Sequence, residues 1–361
     1  MSSARTPVPL RGLGLAAHRR TRIMVWLAAT GMLAGACVGL VRGANLGPEY
    51  LAVAILKGTV LGVLFAVTLG ALELIALRRL WRRLALGWAI LARTALYAPL
   101  ALGVYLVVSA AFSSWIPWSF QRAMILPSIG IAVAGLLAGS VMLALVHLHG
   151  PRVLRNLLSG RYRRPFEEER IFLFLDLAGS TTIAERIGHL RYHAFLHDFI
   201  EDLEDPVLAH DGDVYQYVGD EIVVTWPLAD ARSNGRCLAC HFAIVDAIER
   251  ARGRYEGAYG VVPSFRTGIH SGSVVAGEIG DQRKQIVFVG DVVNTASRMQ
   301  AEARALDKDL VISGALLARI DLPPGIEARS LGTVRPKGKE RAMETFEVVR
   351  STDRVMQRGC E

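Results

Sequence analysis

The stretch IFLFLDLAGSTT, residues 171–182, places a single acid, Asp176, at the end of a run of bulky apolar residues. Small residues follow at once, so the pattern predicts a buried strand, a tight turn and then a helix. Thr182 and Glu185 have capping-box spacing, which predicts a helix N-terminus at this point. Backbone N–H groups at such a turn favour phosphates, and the adjacent acid suits a divalent metal on a nucleotide. The simpler alternative is an Asp that merely ends a strand.

A second acid lies in VYQYVGDEIVVTW, residues 214–226. The pattern predicts strand, turn and strand, with Gly219 and Asp220 at the turn, where the pair could serve only to reverse the chain. The flanks are apolar and rich in β-branched residues, so we expect Asp220 at the edge of a buried sheet. Two aspartates on neighbouring strands, Asp176 and Asp220, can bind two Mg²⁺ or Mn²⁺ ions.

A third stretch, VFVGDVVNTASRM at 287–299, predicts a strand, a Gly-Asp turn and a helix. Asn294 and Arg298 are four residues apart and therefore share one helix face. An amide and a guanidinium on one face suit a ribose oxygen and a polyphosphate. A solvated helix face is the alternative interpretation of the same pair.

In this order and spacing the motifs resemble the class III nucleotidyl cyclases, the adenylate and guanylate cyclase family. The matching motifs are FLDLAGST at 174–181, GDEI at 219–222, GIHSGSVVAGEIG at 268–280 and VGDVVNTASRM at 289–299. The resemblance covers about residues 165–350. The pattern of this region predicts a helix near 183–205 and strands at 264–270 and 273–276. With the strands above, it indicates a ferredoxin-like α+β fold, which the resemblance also implies.

The resemblance implies a role for each matched residue. Asp176 and Asp220 would bind two Mg²⁺ or Mn²⁺ ions per active site, Asn294 would orient the ribose, and Arg298 would stabilise charge on the α-phosphate. Backbone amides in the turn that follows Asp176 would hold the phosphates, and these are the amides of Ala178, Gly179, Ser180 and Thr181. Lys337 lies where a lysine of the family contacts the terminal phosphates, and Lys339 is the alternative.

The resemblance also implies an active site between two catalytic domains packed head to tail. The chain carries both halves of the site, so we expect a homodimer with two equivalent sites. Each site would convert ATP to 3′,5′-cyclic AMP and pyrophosphate by two-metal-ion catalysis.

The positions that select the purine depart from the family pattern. Gln216 stands four residues before Asp220, where adenylate cyclases of the family often have lysine. Val287 stands seven residues before Asn294, in place of Asp or Thr, and neither residue matches the Glu and Cys of guanylate cyclases. We favour ATP as the substrate by analogy with similar bacterial members, with GTP as the alternative.

Two other functions are compatible with parts of the sequence. A diguanylate cyclase would explain the likeness of VGDEI to a GGDEF signature, but Val218 replaces a glycine and the NTASR motif belongs to class III cyclases. A non-catalytic cyclase-like module that binds nucleotide would explain the atypical base positions. The presence of Arg298, which serves the transition state, argues against such a module.

The first 150 residues hold the excess of apolar residues that gives the chain a positive mean hydropathy. Four stretches are long enough to span a membrane as helices, at 23–41, 51–77, 94–113 and 124–146. The third span starts earlier, at Leu84, if Arg93 lies within the membrane. We therefore divide the chain into a cytoplasmic tail (1–22), a four-helix transmembrane region (23–146), a linker (147–170), a cyclase catalytic domain (171–350) and a C-terminal tail (351–361).

The distribution of arginine predicts the orientation of these spans. Four arginines lie at 78–83 and five at 152–164, whereas the other two loops contain only Arg42 and Arg122 as basic residues. By the positive-inside rule both the N-terminus and the catalytic domain are cytoplasmic, in a multi-pass protein of the inner or plasma membrane. The net charge of +8 is then mostly juxtamembrane, which indicates contact with anionic lipid and no nucleic-acid partner.

Cys237 and Cys240 form a CxxC pair with no second pair to accompany it. Zinc needs more ligands than these two. We interpret the cysteines as small core residues on one turn of a helix, with a metal or redox site as the alternative.

Overall fold

A computed structural model describes residues 11–72, 86–116, short pieces between 122 and 142, and residues 160–231, 235–281, 284–334 and 342–351. The chain divides into two compact units, Met1–Leu154 and Arg155–Glu361.

The first unit contains long apolar helices. Its α1 is Arg11–Leu46, α2 is Pro48–Ala71 and α3 is Leu86–Ala111. In the described part of the chain, three segments are long and apolar enough to cross a membrane, namely Met24–Ala44, Pro48–Ala71 and Gly87–Ala111. Helix α3 starts at Leu86, upstream of Arg93, which is compatible with the earlier start of the third span. Most of the predicted fourth span lies outside the described residues.

Helices α1 and α2 pack against each other through glycine. Gly31, Gly35 and Gly39 are spaced four apart on α1 and face Gly58 and Gly62 of α2. A Cβ atom at Gly35 would lie only 2.1 Å from the Gly58 carbonyl oxygen. Small residues at this spacing allow two apolar helices to approach closely enough for extensive van der Waals contact.

The second unit is built on one sheet. Among the residues that the structure describes, eight strands pair in the order β2-β3-β1-β4-β6-β8-β7, with β5 paired to β4. The strands are β1 Phe166–Leu177, β2 Asp213–Val218, β3 Glu221–Pro227, β4 Phe265–Ile279, β5 Gln285–Val289, β6 Leu310–Ser313, β7 Ile326–Val334 and β8 Met343–Arg350. The β4–β6 pair is parallel and the other pairs are antiparallel, which makes the sheet mixed.

Helices cover both faces of this sheet, so the predicted combination of helices with a sheet is confirmed. The helices are α4 Ser180–Ile187, α5 His189–Ala209, α6 Leu228–Ala231, α7 Arg236–Tyr259, α8 Asp291–Ala305 and α9 Gly314–Leu317. Side chains alternate along β1: Leu173 and Leu175 pack in the main core with α5 and α7, whereas Phe172 and Phe174 pack in a smaller cluster with α8. We call these the α5/α7 face and the α8 face. Asp176 has the parity of Phe174 and therefore lies on the α8 face.

Three local predictions were wrong in detail. The helix predicted near 183–205 is two helices that meet at Gly188. The capping box is absent, because Gly179 is the N-cap of α4 and makes no side-chain cap hydrogen bond. The strands predicted at 264–270 and 273–276 form one continuous β4, since Gly272 and its neighbours pair with β1 on one side.

Helix α8 lies unusually close to β4 at Gly268. A Cβ atom there would lie 2.0 Å from the backbone nitrogen of Gln300 on α8. Only a residue without a side chain fits beneath the helix, so this contact fixes the height of α8 above the sheet.

Cys237 and Cys240 are fully buried on α7 and both are free thiols. Burial raises the pKa of the Cys237 thiol to about 12 and raises the pKa of Cys240 as well. A thiol that stays protonated is a poor nucleophile and a poor metal ligand. Both cysteines therefore act as core residues, in agreement with the interpretation drawn from the sequence.

Candidate active site

Three carboxylates meet at one end of β1 and β3. Asp176 is the penultimate residue of β1, and Glu221 lies directly opposite it on β3. Asp220 precedes Glu221 in the two-residue turn between β2 and β3, where Val218 pairs with Glu221. The predicted Gly-Asp hairpin is thus confirmed, and it brings Asp220 next to the strand end that carries Asp176.

The electrostatic surroundings of these acids are unfavourable for their ionised forms. Burial raises the pKa of Asp176, and the Asp220 charge raises it further, while Arg304 opposes the shift. Burial likewise raises the pKa of Glu221, with Asp176 and Asp220 as additional causes. Asp176 is only 8% exposed, so water screens these repulsions poorly. Converging carboxylates of this kind are the donor set of a hard divalent cation, and the residues present fit Mg²⁺ or Mn²⁺.

Two side chains of α8 hold Asp176. Gln300 donates from Nε2 to Asp176 Oδ2 at 3.1 Å, and Arg304 donates from Nη2 to the same oxygen. Neither Gln300 nor Arg304 was among the site residues predicted from the sequence. Their spacing of four residues was a signal that they share a helix face, but nothing in the sequence indicated which face meets β1.

The turn after Asp176 leads directly into α4. Gly179 adopts the left-handed conformation, with φ of 69°, and its carbonyl accepts from Ile183 N at 2.9 Å. Ser180 and Thr181 form the first turn of α4, where backbone N–H groups have no partner within the helix. The Ala178 N–H instead donates to the Ser264 carbonyl at 2.8 Å. The start of α4 therefore presents N–H groups and the positive end of a helix dipole just beyond the acid.

Asn294 and Arg298 lie in the N-terminal half of α8. Asn294 is exposed, and Arg298 is half-buried with its Nη1 atom enclosed and without a hydrogen bond. At about 100° per residue they share one side of α8 while Gln300 and Arg304 share another. Within the described part of the chain, neither Asn294 nor Arg298 bonds to Asp176, and α8 reaches this acid through the other pair instead.

The two predicted base-pocket residues lie on β2 and β5. A bulge between Val214 and Gln216 sets Gln216 opposite Val223, on the α8 face. Val287 lies next to Phe288, which belongs to the cluster on that face, so alternation turns Val287 the other way. The strands approach each other through Tyr215, whose hydroxyl accepts from Phe288 N at 3.4 Å. Lys337 and Lys339 lie outside the described residues.

A further acidic group lies on α5, away from the predicted site. The possible ligand atoms of His197, Asp198 and Glu201 are all within 4.8 Å of one another. Asp198 already accepts from the Tyr259 hydroxyl at 2.9 Å and lies 3.8 Å from Arg254. The carboxylate of Asp198 is therefore already partnered by side chains of the protein.

Residues 164–349, more than half of the chain, match the family model of the adenylate and guanylate cyclase catalytic domain. The chain therefore belongs to this family, and the resemblance drawn from the motifs is confirmed.

Two similar proteins come from Rhizobium meliloti (strain 1021). Adenylate cyclase 2 is 40% identical over 217 residues, which are 59% of this chain and 60% of that protein. Adenylate cyclase 1 is 33% identical over 205 residues, which are 55% of this chain and 30% of that protein. The chain thus matches less than two thirds of the length of either relative.

Among solved structures, a bacterial light-regulated adenylyl cyclase is similar with a TM-score of 0.52 at 18% identity. The match covers 65% of this chain and 69% of that chain. At this identity the likeness shows a shared fold.

Proposed function

We propose that this protein is a membrane-bound adenylate cyclase, which converts ATP to 3′,5′-cyclic AMP and pyrophosphate. The observation that carries the proposal is the convergence of Asp176, Asp220 and Glu221 beside the start of α4. Carboxylates next to free N–H groups suit a metal–polyphosphate complex. The names of the two Rhizobium meliloti relatives favour ATP. GTP is the alternative, because Gln216 and Val287 match neither usual base-reading pair.

In the proposed site Asp176 and Asp220 hold two Mg²⁺ or Mn²⁺ ions. The chemistry supplied at these carboxylates by bound divalent ions is activation of the ribose 3′-hydroxyl and neutralisation of phosphate charge. The N–H groups at the start of α4, including those of Gly179, Ser180 and Thr181, bind the terminal phosphates. Lys337 provides a further contact to them.

Asn294 orients the ribose in this proposal, and Arg298 stabilises the charge that develops on the α-phosphate. The enclosed Nη1 of Arg298 has no hydrogen bond in the described chain, which supports a role in binding an anion. An unpaired buried donor is costly unless a ligand satisfies it.

The active site is proposed to form between two copies of the chain. The helix α8 contacts the Asp176 of its own chain through Gln300 and Arg304, so Asn294 and Arg298 remain for a second copy. A two-fold, head-to-tail dimer then contains two equivalent sites.

The apolar helices of the first unit anchor the protein in the inner or plasma membrane as a multi-pass protein. The arginine clusters at 78–83 and 152–164 support cytoplasmic N-terminal and catalytic regions that contact anionic lipid.

The test uses the full-length protein purified in detergent, with Mn²⁺ and equal concentrations of ATP and GTP, and quantifies both cyclic nucleotides. We expect cyclic AMP from the wild type and a loss of about a thousandfold or more in Asp220→Ala, which removes one of the two aspartates that would hold the ions. Thermal unfolding of the same samples checks that the variant is folded.

Excess cyclic GMP would keep the chemistry and overturn the substrate. Neither product from a protein shown to dimerise would favour a nucleotide-binding module without activity. Unchanged turnover in Asp220→Ala would exclude this acid as a metal ligand.

A further inference from the structure

The carboxylate of Asp176 has two donors of different character. Gln300 is 6% exposed and offers a neutral amide, whereas the side chain of Arg304 is 60% exposed and carries a positive charge. Both donate to the same oxygen, Oδ2. One donor is therefore fixed within the protein, and the other reaches the acid from the surface.

Arg304 reduces the electrostatic conflict among the three acids. Its charge lowers the pKa of both Asp176 and Glu221, against the burial and mutual repulsion that raise them. In the metal-free site the guanidinium supplies positive charge that offsets the repulsion among the carboxylates. A bound divalent ion would supply the same kind of charge. A guanidinium and a divalent ion at the same carboxylate oxygen repel each other, so the two cations compete for Oδ2.

We propose that Arg304 is an internal counter-ion of the metal-free site, and that a divalent ion which binds through Asp176 Oδ2 displaces it. This inference rests on the metal site of the proposed function and adds the residue that competes for it. Gln300 keeps its bond and orients the carboxylate in both states, because a neutral amide does not repel a cation. The exposed Arg304 side chain can move into water without opening the core.

The strength of the competition follows from the exposure of the pair. A partly exposed ion pair is weak, so its removal increases metal affinity by about fivefold rather than by several orders of magnitude. The internal cation thereby sets the concentration of metal at which the site fills. It acts on metal binding and need not touch the nucleotide.

The experiment measures Mn²⁺ binding rather than turnover. Full-length protein in detergent is stripped with a chelator and titrated with Mn²⁺ without nucleotide, and free Mn²⁺ is followed by electron paramagnetic resonance. The variants are Arg304→Gln, which removes the charge, and Arg304→Lys, which keeps the charge but loses the planar donor geometry. Arg319→Gln is the matched control, because Arg319 is an exposed arginine that pairs with Glu169 instead.

We expect Arg304→Gln to lower the Kd for Mn²⁺ about fivefold and Arg304→Lys to lower it about twofold, with Arg319→Gln equal to the wild type. Asp220→Ala identifies the site, because it should abolish the binding that the other variants modulate. If Arg304→Gln does not fold, the comparison of Arg304→Lys with the wild type decides.

An equal or weaker affinity in the Arg304 variants, with measurable binding in the wild type, overturns the counter-ion role and leaves the proposed metal site intact. If no protein in the series binds Mn²⁺, both the metal site and the counter-ion role fail.

Discussion

The two faces of the cyclase sheet differ in what covers them. The α5/α7 face is closed by long helices over a continuous apolar core that includes Phe195, Phe199 and Trp226. The α8 face has a small apolar cluster beside charged groups, and one of these charged groups is Asp176. Buried apolar area is the main source of folding free energy. The difference therefore indicates that one face provides most of the folding free energy of the domain, while the other carries the proposed active site.

The α8 face tolerates buried charge because the charged groups are paired. Arg170 is 4% exposed, and it donates to Glu168 at 2.8 Å and to the Thr225 hydroxyl at 3.0 Å. Its guanidinium also lies 4.5 Å from the centre of the Phe288 ring. The acids at the end of β1 have one such partner, Arg304, in the described chain. A bound cation would therefore be stabilised more by these acids than by the paired charges elsewhere on this face.

The sharpest test of the comparison is a matched pair of core truncations. Phe199→Ala, on the α5/α7 face, should lower the free energy of unfolding by about 3–5 kcal/mol and leave the Kd for Mn²⁺ unchanged. Phe174→Ala, two residues before Asp176 on the α8 face, should lower stability and weaken Mn²⁺ binding as well. Urea unfolding and Mn²⁺ titration measure the two quantities. Equal effects of both variants on metal binding would remove the distinction between the faces.

A mixing experiment tests whether the proposed active site on the α8 face needs a second copy of the chain. Asp220→Ala and Asn294→Ala chains are each expected to be inactive alone. Co-expressed in equal amounts, they should recover about a quarter of wild-type activity, because half of the dimers are mixed and each has one intact site of two. Tagged chains purified in two steps establish that heterodimers are present. No recovery in such heterodimers would contradict a shared site.

The smallest expected effect concerns the pH dependence of stability. The pKa of Glu221 is raised in the folded protein above its ordinary value of 4.5, so the folded state binds more protons in that window. The free energy of unfolding must then fall as the pH rises through the window. Glu221→Gln should raise the Tm at pH 7 by about 1–3 °C in chelator, with no gain below pH of about 4.

Added Mn²⁺ supplies the control for this pH effect, because a bound cation relieves the same repulsion in the wild type. The benefit of Glu221→Gln should therefore shrink in the presence of metal. A Tm gain that is independent of both pH and metal would contradict the electrostatic account of this group of acids.

The sequence was sufficient to predict the local units of the site. The strand that ends at Asp176, the hairpin at Asp220 and the helix that carries Asn294 are each visible as a short pattern of apolar and small residues. The contact of Arg304 with Asp176 was not predictable in this way, since the two residues are 128 positions apart. It depends on the rotation of α8 about its axis, which is set by packing rather than by the sequence of the helix.

The errors in the helix and strand limits also have physical causes. The left-handed Gly179 lets α4 begin before Thr182, so the expected capping box lies inside the helix. The small residues near Gly272 look like a break, but hydrogen bonds from the neighbouring β1 continue the strand across them. Local patterns do not contain the contribution of a partner strand.

The close approach of α8 to Gly268 has a consequence for sequence variation. Any side chain at this position would push α8 away from the sheet. This helix carries Gln300 and Arg304 toward Asp176, and in the proposed dimer it carries Asn294 and Arg298 toward the second copy. In a library of random substitutions selected for activity, position 268 should therefore return glycine alone. In the proposed dimer, the cost of one added methyl group would fall on two active sites at once, although Gly268 is none of the residues proposed to bind substrate or metal.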